Sequence, residues 1–190
     1  MIGKLLHWFY CLDLWEAVVV LAVGTVLYCL PASRLAGRRW WNWLAAGLLL
    51  ALMAVILHTT LGSRNGGADL QHMFVPFHSY REARSNGNTE IYRSNFMNAA
   101  LFYPAGLLTA TLLPKKWPGW IRCTAVLCVL MIASIGIEVS QYLFALGRFE
   151  ADDVIHNAAG ALLGSLVFQM CRNFGRFSKE RKPTATGTDT

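Results

Sequence analysis

Glu138, Gln141, Arg148, Asp152, Asp153, His156 and Asn157 fall in or beside two stretches otherwise apolar enough to cross a bilayer. On insertion scales an ionisable side chain deep in a membrane helix costs ~2.5–3.5 kcal/mol. Residues of this kind must pair with one another, be hydrated, or be used. A carboxylate held there can act as a general base, and an arginine beside it can grip phosphate or carboxylate bidentately. Asp153, His156 and Glu138 together are the one metal-binding combination in view. A single histidine with scattered carboxylates is not a recognised ligand spacing, so neither metal nor cofactor is expected. No Ser/His/Asp or Cys/His arrangement for nucleophilic catalysis is legible.

The spacing is helical. Ser134, Glu138, Gln141 and Ala145 fall at i, i+4, i+7 and i+11, and Asp153, Asn157, Gly160 and Gly164 repeat that pattern. Each stripe mixes polar with small residues, and Gly160-x-x-x-Gly164 is the motif that lets helix backbones approach closely. The polar groups are therefore expected to face protein rather than lipid. Asp152 and Asp153 also suit the N-terminal dipole of their own helix, so capping stands beside a binding role for both. For Asn157 a bond across a helix interface stands beside a ligand contact. For Glu138 a buried carboxyl that fixes packing stands beside a group facing a polar cavity.

Composition supplies the setting. Of 190 residues, 55% are hydrophobic and 15% charged, with mean hydropathy +0.38. Soluble domains run at ~45–50% apolar and ~25% charged. The chain is read as all-α, a polytopic transmembrane helical bundle in one domain over residues 1–177, with a disordered tail over 178–190. Five spans fit a bilayer core of ~30 Å: about Leu14–Leu30, Trp43–Leu61, Phe96–Leu113, Cys123–Leu146 and Val154–Cys171. Pro31 and the Pro114/Pro118 pair are read as turns after spans one and three. The N-terminus lacks a cleavable leader pattern, because Asp13 and Glu16 interrupt its apolar run.

Alternating loops place Arg34, Arg38, Arg39, Lys115, Lys116, Arg122, Arg172, Arg176, Lys179, Arg181 and Lys182 on one side. The other side carries Lys4, Arg64, Arg81, Arg84, Arg93 and Arg148. The eleven-to-six bias predicts the N-terminus outside and the C-terminus inside. Topology also accounts for the pI of 9.3; no nucleic-acid motif accompanies it, and no nucleic-acid partner is expected. The five cysteines, without metal spacing, read as small buried hydrophobes, and most tryptophans as interfacial anchors.

At ~1.5 Å rise per residue, Glu138 lies roughly 12 Å and Gln141 roughly 8 Å below the outer end of the fourth span. Asp153 sits at the mouth of the fifth, with Asn157 a turn deeper. Arg93 and Asn98 arrive at the same level on the third span, which also holds Pro104 and Gly106. Phe74-Val75-Pro76-Phe77 in the long outer loop is expected to lie along the interface or to plug the bundle.

Four segments, in order, resemble the VanZ-like family of bacterial membrane proteins over roughly Asp69 to Cys171. They are Val75-Pro76-Phe77; Asn98-x-x-x-Phe102-x-Pro104-x-Gly106; Ser134-x-x-Ile137-Glu138-x-x-Gln141; and Arg148 followed by Asp152-Asp153, Asn157, Gly160 and Gly164. The acidic element departs from the family pattern, since Glu150, Asp152 and Asp153 compete for its first position. His156 stands where an aliphatic residue is common.

The resemblance implies a multi-pass protein of the bacterial cytoplasmic (inner) membrane. Founding members are associated with low-level resistance to teicoplanin, a lipid-tailed glycopeptide, without a change of peptidoglycan precursor. It brings no biochemical activity with it. The favoured expectation is a polar, outward-opening site of Arg93, Asn98, Glu138, Gln141, Arg148, Asp152, Asp153 and Asn157. Pro104, Gly106, Gly160 and Gly164 would pack the helices around it. Its partners would be membrane lipids and an amphiphilic, lipid-linked envelope component or a lipoglycopeptide. The alternatives are a hydrolase or transferase on lipid-linked intermediates, with Glu138 as base and Arg148 on phosphate; a scaffold; and a transporter, against which the small size and absence of repeats count.

Overall fold

A computed structural model of the chain describes residues 14–35, 38–62, 72–73, 75–146 and 149–180. The helices are α1 (Leu14–Leu35), α2 (Arg39–Leu57), α3 (His78–Asn86), α4 (Glu90–Leu112), α5 (Gly119–Leu143) and α6 (Ala151–Glu180). α2 continues into a π turn at His58–Gly62, and β1 (His72–Met73) pairs in parallel with β2 (Phe149–Glu150).

Four segments are long and apolar enough to cross a membrane: Trp15–Ala32, Arg39–Gly62, Gly119–Leu143 and Ala151–Phe174. The helix that carries the third expected span, α4, is not among them. Lipid cannot satisfy backbone groups, so every spanning segment must be helical, but only those that face lipid must be apolar throughout. α4 is the most enclosed helix, with Asn95, Met97 and every residue from Ala100 to Phe102 and Ala105 to Thr111 buried. Protein surrounds it on most sides, so polar residues along it are tolerated.

Burial runs opposite to that of a soluble domain. Leu27, Leu50, Ile132 and Leu143 are each more than two-thirds exposed, whereas Ser134, Glu138 and Gln141 are at most 2% exposed. The core is built largely from small residues, including Ala17, Ala32, Ala45, Ala105, Ala110 and Ala161. α4 and α6 share the largest interhelical contact. A Cβ on Gly106 would overlap the Ala161 carbonyl, one on Gly160 the Ala99 carbonyl, and one on Gly164 the Tyr103 carbonyl. The glycine stripe of α6 thus packs on α4, while Asn157 higher on the same helix meets α5. The two polar stripes read from the sequence do not simply face each other: α6 sits in the angle between α4 and α5. α1 is pinned to α4 by Thr25 Oγ1 and Tyr103 OH at 2.8 Å and by Tyr28 OH donating to Thr111 Oγ1 at 2.9 Å.

Several local expectations change. Pro31 lies inside α1, which continues to Leu35, because a membrane helix tolerates the missing N–H that would end a soluble one. α6 runs to Glu180, into the stretch read as tail; residues 181–190 lie outside the described residues. Ala145 is not on the α5 stripe, since the helix has ended and its φ is 51°. The long segment between α2 and α4 holds α3, which carries no apolar stripe. Gly87 ends it at φ 64°, a conformation glycine adopts without strain, with its N–H on the Ala83 carbonyl.

Candidate functional site

A polar cavity of about 130 Å³ opens between α2, α4, α5 and α6. Its polar lining is Asn98 and Ser94 from α4, Glu138 and Gln141 from α5, Asp153 and Asn157 from α6, and Thr59 and Thr60 from the π turn. Ile56, Met97, Leu101, Phe102 and Ile137 complete its walls. The space is large enough for several water molecules or a small headgroup.

The helix faces explain the convergence. Asn98 stands two turns into α4 and Asp153 in the first turn of α6; Asn98 Nδ2 donates to Asp153 Oδ1 at 2.7 Å. Asn157, one turn below Asp153, donates through Nδ2 to Ser134 Oγ at 2.9 Å. Its Oδ1, on a residue 6% exposed, is buried without a hydrogen-bond partner among the described residues. Gln141 Nε2 donates to the Thr60 carbonyl at 3.2 Å, and the Glu150 N–H donates to Glu138 Oε2 at 3.1 Å. The π turn widens the end of α2 and brings Thr59 and Thr60 to the cavity; such turns recur at functional sites. The two threonines are not among the residues singled out from the sequence; Ser94, beside Arg93 at the mouth of the third span, is not counted in the expected site. A polar Thr-Thr pair at the end of a span was the available signal.

Asp152 and Asp153 have separate roles, and neither is explained by capping its own helix alone. Asp152, 3% exposed, reaches away from the cavity. Its carboxylate accepts the Phe77 N–H at 2.5 Å and the Ser79 N–H at 2.8 Å, capping α3 instead. Phe77 is held at φ 61°, a strained value for a side-chain-bearing residue, and this double acceptor stabilises it. Asn95 Nδ2 completes the junction by donating to Ser79 Oγ at 3.0 Å. Val75 and Phe77 are themselves half exposed, so they do not plug the bundle; Phe74 lies outside the described residues.

Arg93 does not line the cavity; its guanidinium lies 3.8 Å from the Glu90 carboxylate, one turn back. Arg148 lies outside the described residues. His156 also faces elsewhere: Nδ1 donates to the Asp152 carbonyl at 2.6 Å, and Nε2 meets Tyr80 OH at 2.7 Å. Since a carbonyl only accepts, Nδ1 is the donor there, and in the neutral ring Nε2 accepts from the tyrosine hydroxyl. That removes His156 from the combination with Glu138 and Asp153. Among the described residues no three His, Cys, Asp or Glu side chains are grouped to hold a metal ion. Pro104 lies within α4 beside the Gly106 contact, below the cavity.

On the other side of the α4–α6 seam an apolar groove of about 360 Å³ runs between α1, α4 and α6, lined by Val18, Phe96, Tyr103 and Leu163 among others. A polar cavity inside the bundle and an apolar groove on its flank thus lie on opposite sides of the α4–α6 seam.

Residues 42–172 match the model of the VanZ/LLP1 family. No curated protein and no solved structure matches the chain.

Proposed function

From the premise that this chain belongs to the VanZ-like family, we propose that it is a five-span protein of the bacterial inner membrane that binds the polar head of an amphiphilic envelope component. The N-terminus lies outside and the C-terminus inside, and the cavity sits in the outer half of the bilayer. The ligand is a lipid-linked envelope molecule or a lipoglycopeptide, and its sequestration or displacement gives a resistance-type effect.

The observation that carries this reading is the cavity itself, with the unpartnered Asn157 Oδ1 among its polar lining. A packing device would satisfy its buried polar atoms internally, because each one left unmade costs about 1–3 kcal/mol. Asn157 does both things: its nitrogen ties α6 to α5, and its oxygen is left for a donor that the bundle does not provide. A hydroxyl- or amine-bearing headgroup supplies such donors, and Glu138, Gln141, Asn98 and Asp153 offer further acceptors around it. The apolar flank suits a molecule that arrives within the membrane.

The test is drug susceptibility in cells that express the protein at equal membrane levels. Wild type should shift susceptibility to a lipid-tailed glycopeptide, and Glu138→Ala and Asp153→Asn should abolish the shift. Variants that accumulate normally and behave as wild type would sink the site reading.

A further inference from the structure

Arg122 stands in the first turn of α5 and is 1% exposed. Its Nη2 donates to the Ala110 carbonyl near the end of α4. That carbonyl would ordinarily accept the N–H of residue 114, which is proline and has none. The guanidinium also suits the negative end of the α4 dipole, and its Cζ lies 5.5 Å from the centroid of the Phe168 ring. Nε and Nη1 are buried and find no partner among the described residues. The same holds for Nε2 of Gln169, whose amide end lies against Gly119 at the start of α5.

Among the described side chains, no carboxylate forms an ion pair with the cation. The chain has no Asp or Glu between Glu90 and Glu138, nor between Asp153 and Glu180. The carboxylates of α4 and α5 and the pair that opens α6 therefore lie at the opposite end of the bundle. Glu180 follows Gln169 by roughly 16 Å of helix. The neighbours are instead basic: Lys115, Lys116 and Arg172, whose Nη2 donates to the Lys115 carbonyl at 2.7 Å. A buried guanidinium with unmet donors and no carboxylate calls for an anion from outside the fold.

We propose that Arg122, Gln169 and the free N–H groups in the first turn of α5 hold a phosphate at this end of the bundle, separate from the polar cavity. Unmet N–H groups at a helix start add to the attraction for an oxyanion. The phosphate is either the headgroup of an anionic lipid or a soluble phosphate.

The full chain is placed in phosphatidylcholine nanodiscs, and thermal unfolding is followed with added phosphatidylglycerol or with inorganic phosphate. A saturating ligand should raise the wild-type melting temperature by roughly 5 °C. A response to phosphatidylglycerol alone identifies a lipid headgroup, and a response to inorganic phosphate identifies a soluble ligand. Arg122→Met should lose the shift. Because that variant can fail to fold, Gln169→Met, which only removes an unpartnered amide, should keep the fold and at least halve the shift. The proposal is overturned if wild type responds to neither anion, or if Arg122→Met keeps the full response. It is also overturned if neither anion acts and Glu180→Gln or Asp189→Asn lowers the melting temperature, since a tail carboxylate is then the counter-ion.

Discussion

The Asp152 carboxylate accepts the backbone N–H of Ser79 at 2.8 Å, across 73 residues of chain. With the Phe77 N–H on its other oxygen, it ties the segment that leads into α3 to the first turn of α6. Its neighbour Asp153 turns the other way, onto Asn98 at the cavity. Adjacent residues on a helix point about 100° apart, so two consecutive acids serve two sites.

Asp152→Ala should destabilise the fold by about 1–3 kcal/mol, the cost of leaving buried N–H groups without an acceptor at a capped helix start. Limited proteolysis should show new cleavage between residues 75 and 90. Asp153→Asn keeps an acceptor for Asn98 and should leave that segment as protected as in wild type.

The glycines of the α4–α6 seam divide sharply from those elsewhere. Gly160→Ala and Gly164→Ala place a methyl group on a backbone carbonyl of α4, which cannot yield as a flexible side chain does. Overpacking of this kind costs about 1–3 kcal/mol. Gly24→Ala and Gly47→Ala meet nothing within 4 Å and should be neutral or slightly stabilising. Melting temperatures of the four purified variants provide the check; equal loss across all of them would remove the seam from the account.

The Asn157–Ser134 bond should show as coupling in a double-mutant cycle. Asn157→Leu and Ser134→Ala, alone and together, should give an interaction of ~0.6 kcal/mol, the usual worth of such bonds between membrane helices. A unique loss of ligand response in Asn157→Leu, absent from Ser134→Ala, separates the cavity role of the oxygen from the packing role of the nitrogen.

Topology is checked by cysteine accessibility in a background with the native cysteines replaced. A membrane-impermeant reagent should label Ser85→Cys in intact cells and Lys116→Cys only after permeabilisation. The reverse pattern would invert the proposed orientation and place the cavity on the cytoplasmic side.

Hydropathy and spacing sufficed for much of this. The apolar runs located all five long helices, α4 included, and the i, i+4, i+7 pattern put Glu138 and Gln141 on one face of α5. The Gly-x-x-x-Gly signal marked the seam, but not which helix it meets. α4, located by its run Phe96–Leu113, still lacks a stretch as apolar as those of the other four, because a helix enclosed by protein needs no lipophilic surface.

What the sequence by itself determined is local: which segments must be helical in lipid, and which of their faces carry polar or small residues. Tertiary structure alone decided the pairings. It sent Asp152 to Ser79 and Asp153 to Asn98, and it turned His156 toward Tyr80 and away from the cavity. It also enclosed Arg122, which sequence reading placed only among the loop charges. The physical reason is that lipid and protein interior are both apolar, so periodicity does not say which apolar face meets a partner. Only the close approach of backbones at Gly106, Gly160 and Gly164 sets the helix order, and the polar contacts follow from it.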